Sequence, residues 1–266
     1  MKGPIRSLRE PSVLNKNYFC QSRKEAYLSM ISIVIPTYNE AQNIKVLLER
    51  ISKSIPVAYE VVIIDDNSPD GTGSIAEGLT KEYPLRIIHR SGKLGLSSAV
   101  IDGFKAASGD LICVMDSDLS HPPEVIPSLL NILTRQDIDI AIASRFAKGG
   151  GVRNWPKRRL LNTRTALLTV KLLTPVKDPM SGFFLLKRSV IENVKLVPRG
   201  YKILLEILIK GRCKRVKELP FIFENRVYGK SKLNLNIYLE FAAQLVDLYF
   251  YKIKNMFYPV RIPLVK

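Results

Sequence analysis

Residues 31–66 read ISIVIPTYNEAQNIKVLLERISKSIPVAYEVVIIDD, and this stretch decides the fold. Ile31 to Pro36 is a continuous β-branched run closed by proline, the pattern of a strand buried on both faces. Asn39 to Ser54 carries Ile44, Leu47, Leu48 and Ile51 at helical spacing and stops before Pro56. Val61 to Ile64 reads as a second buried strand, ended by Asp65-Asp66 and the turn Ser68-Pro69-Asp70-Gly71. Outward from there the alternation continues. Thr72 to Tyr83 predicts a helix, Arg86 to His89 a short strand, and Leu96 to Ala107 a helix. Leu111 to Met115 predicts a strand leading into Asp116-Ser117-Asp118. A helix after Pro122-Pro123 and a strand near Ile138 to Ala143 complete the series.

Strands that are apolar throughout and alternate with helices predict an α/β fold, its sheet mostly parallel and covered on both faces by helices. Such sheets bind ligands at the carboxyl ends of their strands. The residues there are Thr37-Tyr38-Asn39-Glu40, Asp65-Asp66, Asp116-Ser117-Asp118 and Ser144-Arg145. After Gly149-Gly150-Gly151 the pattern loosens. Lys157 to Leu173 predicts a basic amphipathic helix, Phe183 to Leu186 a strand, Lys202 to Ile209 a helix and Leu219 to Glu224 an extended segment. Asn236 to Lys254 predicts a closing helix, apolar on one face through Ile237, Phe241, Leu245 and Leu248.

With 266 residues, 46% hydrophobic and 24% charged, disorder is excluded as the main state. No window reaches about 18 uncharged apolar residues, which excludes a membrane-spanning helix, and no secretory signal is expected. Cys20, Cys113 and Cys213 are widely spaced and predict neither a disulfide framework nor a zinc site, which suits a reducing, cytosolic compartment. Residues 1–30 lack a period and predict a basic, poorly ordered arm.

The net charge of +17 is unevenly placed. Residues 31–150 hold 11 basic and 15 acidic side chains, whereas residues 151–232 hold 20 and 5. A strongly basic second half points to an anionic partner: nucleic acid, an anionic membrane surface or a phosphorylated substrate. Solubility charge on exposed helices is the plainer explanation.

Asp116 and Asp118 flank a turn at a strand end, where both carboxylates can face one hard cation. Mg²⁺ is held by one or two protein carboxylates, with substrate phosphates and waters filling its shell. That suits a nucleoside diphosphate leaving group, whose charge must be neutralised. Asp capping of turns is the alternative for these residues and for Asp65. Gly71-Thr72-Gly73-Ser74-Ile75-Ala76 satisfies the dinucleotide fingerprint, but Asp66 to Asp70 intervene after the strand and would face the pyrophosphate without a metal. Gly92-Lys93-Leu94-Gly95 lacks the remaining elements of a phosphate loop.

Ile33-Val-Ile-Pro-Thr-Tyr-Asn-Glu40, Val62-Ile-Ile-Asp-Asp66 with Ser68-Pro-Asp-Gly71, and Asp116-Ser-Asp-Leu-Ser-His-Pro-Pro-Glu124 resemble the inverting, GT-A-fold (Rossmann-like) glycosyltransferases of family 2. Ser144-Arg-Phe146, Asp178-Pro-Met-Ser-Gly-Phe183 and Asn225-Arg-Val-Tyr-Gly-Lys-Ser-Lys-Leu233 narrow the resemblance to the family's polyprenyl-phosphate (dolichyl-phosphate) mannosyltransferases. The likeness implies an arm over 1–30 and a transferase domain over 31–235. The domain divides into a nucleotide-sugar half (31–150) and a basic acceptor half (151–235), followed by an amphipathic helix and tail over 236–266.

It implies transfer of mannose from GDP-mannose to a polyprenyl (dolichyl) phosphate, with Mg²⁺ or Mn²⁺ as cofactor. By position, Pro36, Tyr38, Glu40, Asp66, Asp116, Ser117 and Asp118 would bind the nucleotide sugar, with Arg226 and Lys232 meeting phosphates. Arg145, Arg159 and Thr163 would take the acceptor phosphate, and Asp118 and Arg145 would be catalytic. Asp116 and Asp118 would bind the metal, with Ser120 where relatives often have a Gln ligand. His89 and His121 are read as structural.

A phosphomonoester has a second pKa of roughly 6 and arrives already anionic, so no essential general base is expected. What it needs is cationic positioning, for which arginine's fork is suited. Basic Lys157-Arg158-Arg159 and aromatic Tyr249, Phe250, Tyr251, Phe257 and Tyr258 predict peripheral association with the cytosolic face of a membrane, with a membrane-embedded partner subunit. The alternatives are a polyprenyl-phosphate glycosyltransferase using another donor, such as UDP-glucose, or a basic nucleic-acid-binding protein. The second would need interleaved aromatics or a helix-turn-helix, and neither is evident, so no nucleic-acid partner is expected.

Overall fold

The computed structural model describes residues 30–224 and 235–257, with the side chains of the last segment described over 239–255. The predicted arm, Met30 excepted, lies outside these residues, as do Arg226, Lys232 and Tyr258. The side chains of Ile237 and Phe257 are likewise outside them.

The strands are β1 (Ile31–Thr37), β2 (Tyr59–Asp65), β3 (Leu85–His89), β4 (Leu111–Val114), β5 (Ile140–Ser144), β6 (Gly151–Val152), β7 (Phe184–Lys187), β8 (Val216–Pro220) and β9 (Ile222–Phe223). The α-helices are α1 (Ile44–Ser54), α2 (Thr72–Gly78), α3 (Leu96–Ala106), α4 (Ile126–Arg135), α5 (Lys157–Val170), α6 (Ile203–Lys210) and α7 (Leu235–Phe257). Among the described residues a seven-stranded sheet runs β3-β2-β1-β4-β7-β5-β8, and β6 and β9 form a small parallel pair.

The continuous apolar runs form β1, β2 and β4 because those strands are covered on both faces. Ile31, Ile33 and Ile35 point to one layer, where Ile44, Leu47, Leu48 and Ile51 of α1 and Leu129 and Leu133 of α4 meet them. Val34, Val62 and Ile64 point to the other, against Val100 and Phe104 of α3 and Leu204 and Ile207 of α6. Each such fully buried aliphatic side chain is worth about 1.5–3 kcal/mol in transfer terms. A third cluster joins Val170 of α5, Leu205 of α6 and Phe241 and Leu248 of α7.

The sheet is not wholly parallel. β7 lies antiparallel between β4 and β5. A strand apolar on both faces carries no signal of its direction, so which strand runs backwards is decided by the tertiary fold. The consequence is functional: the loop entering β7, residues 178–183, arrives at the edge where β4 and β5 end. One helix start and one helix end also differ from expectation. α1 begins at Ile44 rather than Asn39, because Asn39 sits at φ 59° and the N–H groups of Asn43 and Ile44 turn back onto the Glu40 carbonyl. α2 stops at Gly78, a poor helix former, and turns replace helix up to Tyr83 before Pro84.

Candidate active site

The β1 and β2 ends are stitched together by their loops. Asn39 N–H donates to Ser68 Oγ (3.0 Å), Glu40 N–H to Thr72 Oγ1 (2.8 Å) and Ala41 N–H to Asp70 Oδ2 (3.1 Å). Asp70 also accepts from the Thr72 N–H and hydroxyl. Asp65 takes the capping role, accepting from Thr37 Oγ1 (3.1 Å), Ser68 N–H (3.0 Å) and Ser68 Oγ (2.5 Å). The fingerprint glycine Gly73 has a packing role: a Cβ there would stand 2.7 Å from the His89 ring and 3.2 Å from Asp65. His89 itself meets Glu77 at the surface.

Pro36 is buried, and its carbonyl accepts from Ser117 Oγ at 3.3 Å, joining the β1 and β4 ends. Tyr38 is half-buried with Lys93 Nζ 4.5 Å from its ring centre. Glu40 Oε2 accepts from Asn43 Nδ2 at 2.7 Å. Asp66 is buried, its carboxylate held by Arg90 Nη1 (2.5 Å) and the Gly95 N–H (3.1 Å).

Beyond β4, Leu119 takes φ 63°, and this left-handed residue folds the chain so that Asp116 and Asp118 flank a turn. Asp118 is buried, and its Oδ1 accepts from the Ser120 N–H (3.1 Å) and Ser120 Oγ (2.5 Å). Ser120 therefore orients Asp118. Asp116 is more open, with its side chain 33% exposed. Its N–H donates to His121 Nδ1 at 3.0 Å, and its Oδ2 lies 3.7 Å from His121 Nε2. His121 is buried in an aromatic nest, stacked on Phe183 (5.2 Å) and edge-on to Phe221 and Phe223. Burial pushes its pKa down, and the negative charges of Asp116 and Asp118 pull it back.

Across from this acidic turn, Arg145 follows β5. Asp178 Oδ2 accepts from its backbone N–H (2.9 Å) and Nε (2.8 Å), and Asp178 Oδ1 accepts from its Nη2 (2.7 Å). Asp178 is fully buried and anchored through its own N–H to Glu218 (3.0 Å). Arg145 and Arg159 share aromatic faces. The Arg159 guanidinium lies 4.0 Å from the Trp155 ring centre and that of Arg145 5.6 Å away, each 5.8 Å from Phe223. Such contacts are worth about 0.5–2 kcal/mol each. Thr163 stands one turn after Arg159 on α5, its hydroxyl donating to the Arg159 carbonyl at 2.9 Å.

The acidic and basic sets meet. His121 feels Asp116, Asp118, Arg145 and Lys202 together, and Lys202 feels Arg145, Asp116, Asp178 and Arg159. Residues 32–195 match the family model described as glycosyl transferase family 2. The chain belongs to this family.

Among its family 2 relatives are proteins named dolichol-phosphate mannosyltransferase. That of Pyrococcus furiosus is 47% identical over 82% of this chain, which spans 63% of that protein's length. That of Saccharomyces cerevisiae is 37% identical over 83% of this chain and 87% of its own. In fold, the chain resembles glucosyl-3-phosphoglycerate synthase of Mycobacterium tuberculosis, solved with Mn²⁺, UDP-glucose and phosphoglyceric acid. The TM-score is 0.64 at 19% identity, covering 88% of this chain and 82% of that one. The α/β sheet is thus the GT-A arrangement of family 2.

As a family 2 site, the acidic turn fits a hard divalent ion. Among the described residues no three His, Cys, Asp or Glu side chains gather to cage a metal, so two carboxylates would leave phosphate oxygens and water to complete its shell. Gly182 packs tightly against this turn. A Cβ there would stand 3.3 and 3.4 Å from the two Asp116 carboxylate oxygens and 3.2 Å from His121 Cε1.

Sequence reasoning assigned no role to four residues that the structure brings near this turn and its arginines: Asp178, Gly182, Trp155 and Lys202. Asp178 and Gly182 lay in a quoted motif without a chemical role. The signal for them was their place just before a strand, which matters only once β7 is known to run backwards.

Proposed function

We propose that this chain is an inverting transferase moving mannose from GDP-mannose to a polyprenyl (dolichyl) phosphate, giving polyprenyl-phosphate-mannose. The observation that supports it is that the charges of Asp116 and Asp118 and those of Arg145 and Arg159 converge on two neighbours, His121 and Lys202. The names of the relatives supply the sugar and the acceptor. An acceptor phosphate oxygen attacks the anomeric carbon, the bond from that carbon to the donor's β-phosphate oxygen breaks, and GDP leaves with the electron pair. The configuration inverts. The acceptor is already anionic at neutral pH, so no residue need remove a proton.

In this reading Pro36, Tyr38, Glu40, Asp66 and Ser117 line the nucleotide pocket, joined by Arg226 and Lys232. Asp116 and Asp118 would hold Mg²⁺ or Mn²⁺, with Ser120 fixing Asp118. The ion, when bound, neutralises charge developing on the diphosphate. Arg145, set by Asp178, and Arg159 and Thr163 position the acceptor phosphate. The neutral, buried His121 braces the Asp116 backbone.

A lipid acceptor requires approach to a bilayer. No helix among the described residues is long and apolar enough to cross one. Exposed Leu161, Leu168 and Leu172 lie on and just beyond α5 among Lys157, Arg158, Arg164 and Lys171, and α7 exposes Leu239, Val246, Phe250 and Ile253. These surfaces support peripheral binding to an anionic membrane. A membrane-embedded partner subunit would meet the same α7 stripe.

The test is transfer itself. Purified protein with Mg²⁺ or Mn²⁺, polyprenyl phosphate and a panel of labelled sugar nucleotides should carry label into the organic phase from GDP-mannose and not from UDP-glucose. Label from another donor alone would replace the mannose assignment, and label from none would remove the reading.

A further inference from the structure

We propose that Lys202 is a further phosphate-binding residue of this site, its ammonium donating to a phosphate held between Asp116 and the Arg145–Arg159 pair. The inference rests on the transferase reading above and adds a residue to it.

The stem of Lys202 is firmly placed. It precedes α6, whose Ile203, Leu204 and Leu205 are buried, and its carbonyl accepts from the Leu205 N–H (3.2 Å) and from Gln244 of α7 (3.4 Å). The ammonium is less well provided for. Among the described residues it has one hydrogen-bond acceptor, the Met180 carbonyl at 3.1 Å, and it lies 4.4 Å from the Tyr201 ring centre. A lysine ammonium has three hydrogens to donate.

Other buried and half-buried cations differ. Arg90 is paired with Asp66, Arg145 with Asp178 and Lys210 with Glu206, whereas Lys202 makes no ion pair among the described residues. Two guanidinium groups lie close enough to repel it, and burial with the Arg145 charge pushes its pKa down to about 8, against a pull from Asp116 and Asp178. A half-buried charge with no ion pair, set beside like charges, does not help a fold stand. A phosphate, with up to two negative charges and several acceptor oxygens, would satisfy the remaining hydrogens and balance the excess. A merely structural lysine, pinning the 178–183 loop through Met180, predicts the opposite effect on stability.

That opposition supplies the experiment. Lys202→Met keeps the stem and removes the charge; Lys202→Arg keeps the charge. Full-length protein is titrated calorimetrically with two probes, GDP plus Mn²⁺ and farnesyl phosphate, and Tm is measured alongside. The expected result is a Tm equal to or above that of the parent, with at least a ten-fold loss of affinity for one probe in K202M and partial recovery in K202R. Weakening in the GDP arm assigns Lys202 to the leaving diphosphate; weakening in the farnesyl phosphate arm assigns it to the acceptor. Parental affinity for both probes overturns the proposal. So does a lowered Tm or a variant that does not fold, since both would make the ammonium a structural tie. Sugar transfer by the parent is scored separately. A parent that transfers nothing while K202M loses phosphate affinity sinks the transferase reading and leaves Lys202 standing, and the reverse pattern sinks Lys202 alone.

Discussion

His121 accepts the backbone N–H of Asp116 through Nδ1 at 3.0 Å, so a buried imidazole holds the start of the acidic turn in place. That hydrogen bond requires Nδ1 to be unprotonated. Burial lowers the pKa of His121 below its ordinary 6.5. On acidification through about 6.5 the unfolded chain takes up a proton that the folded chain refuses, and stability falls. It is regained as pH rises back through that window. His121→Asn supplies an acceptor that does not titrate. Thermal unfolding of the metal-free protein should show the parent losing stability relative to H121N between pH 7 and 5, by up to about 1.4 kcal/mol per pH unit. Parallel curves would show that His121 does not carry this slope.

Gly182 sits so close to Asp116 and His121 that a side chain there would crowd both. Gly182→Ala forces the His121 ring and the Asp116 carboxylate to shift by a few tenths of an ångström. Overpacking of this kind costs about 1–3 kcal/mol in stability. The variant should bind Mn²⁺–GDP about ten-fold more weakly while its affinity for farnesyl phosphate is unchanged. Equal losses for both ligands would argue for general disorder of the site instead.

Asp178 sets Arg145 by accepting three hydrogen bonds from it, and its carboxylate is fully buried. Asp178→Asn leaves a nearly buried guanidinium without a counter-charge, a change of about 3–5 kcal/mol. Adding Arg145→Met removes that orphan charge, so the double variant should recover much of the lost Tm and none of the transfer activity. Recovery of activity with Tm would place Arg145 outside the reaction. Additive losses in Tm would mean that the two residues are not energetically coupled.

The strands of the first half were legible because a run such as Ile31–Pro36 is short, rich in β-branched residues and closed by proline, and Asp66, Asp116 and Arg145 follow directly after such runs. The same logic was blind to β7. Phe184, Leu185 and Leu186 are all buried, and nothing in their order says which way the strand runs. Once reversed, it delivers Asp178 to Arg145 and Gly182 to the acidic turn. Asp65 and Asp66 looked alike in sequence, yet one caps the Ser68 turn and the other is clasped by Arg90, a distinction made by backbone position alone. Lys202 was hidden among the many basic residues of the second half. Its lack of an ion pair among the described residues is a tertiary property. The closing helix read as apolar on one face, through Phe241, Leu245 and Leu248. Leu239, Val246, Phe250 and Ile253 form a second, exposed stripe that the one-face pattern concealed.

The most direct test of a shared site for both phosphates is the relaxation of the acceptor's ³¹P nucleus by Mn²⁺. Protein loaded with Mn²⁺ and GDP should strongly accelerate ³¹P relaxation of farnesyl phosphate. The effect should vanish when Asp116 and Asp118 are both changed to Asn, and also when Arg145→Met removes the opposing cation. Relaxation no faster than with Mn²⁺ free in solution, while both ligands are demonstrably bound, would place the two phosphates in separate sites and contradict the transfer scheme.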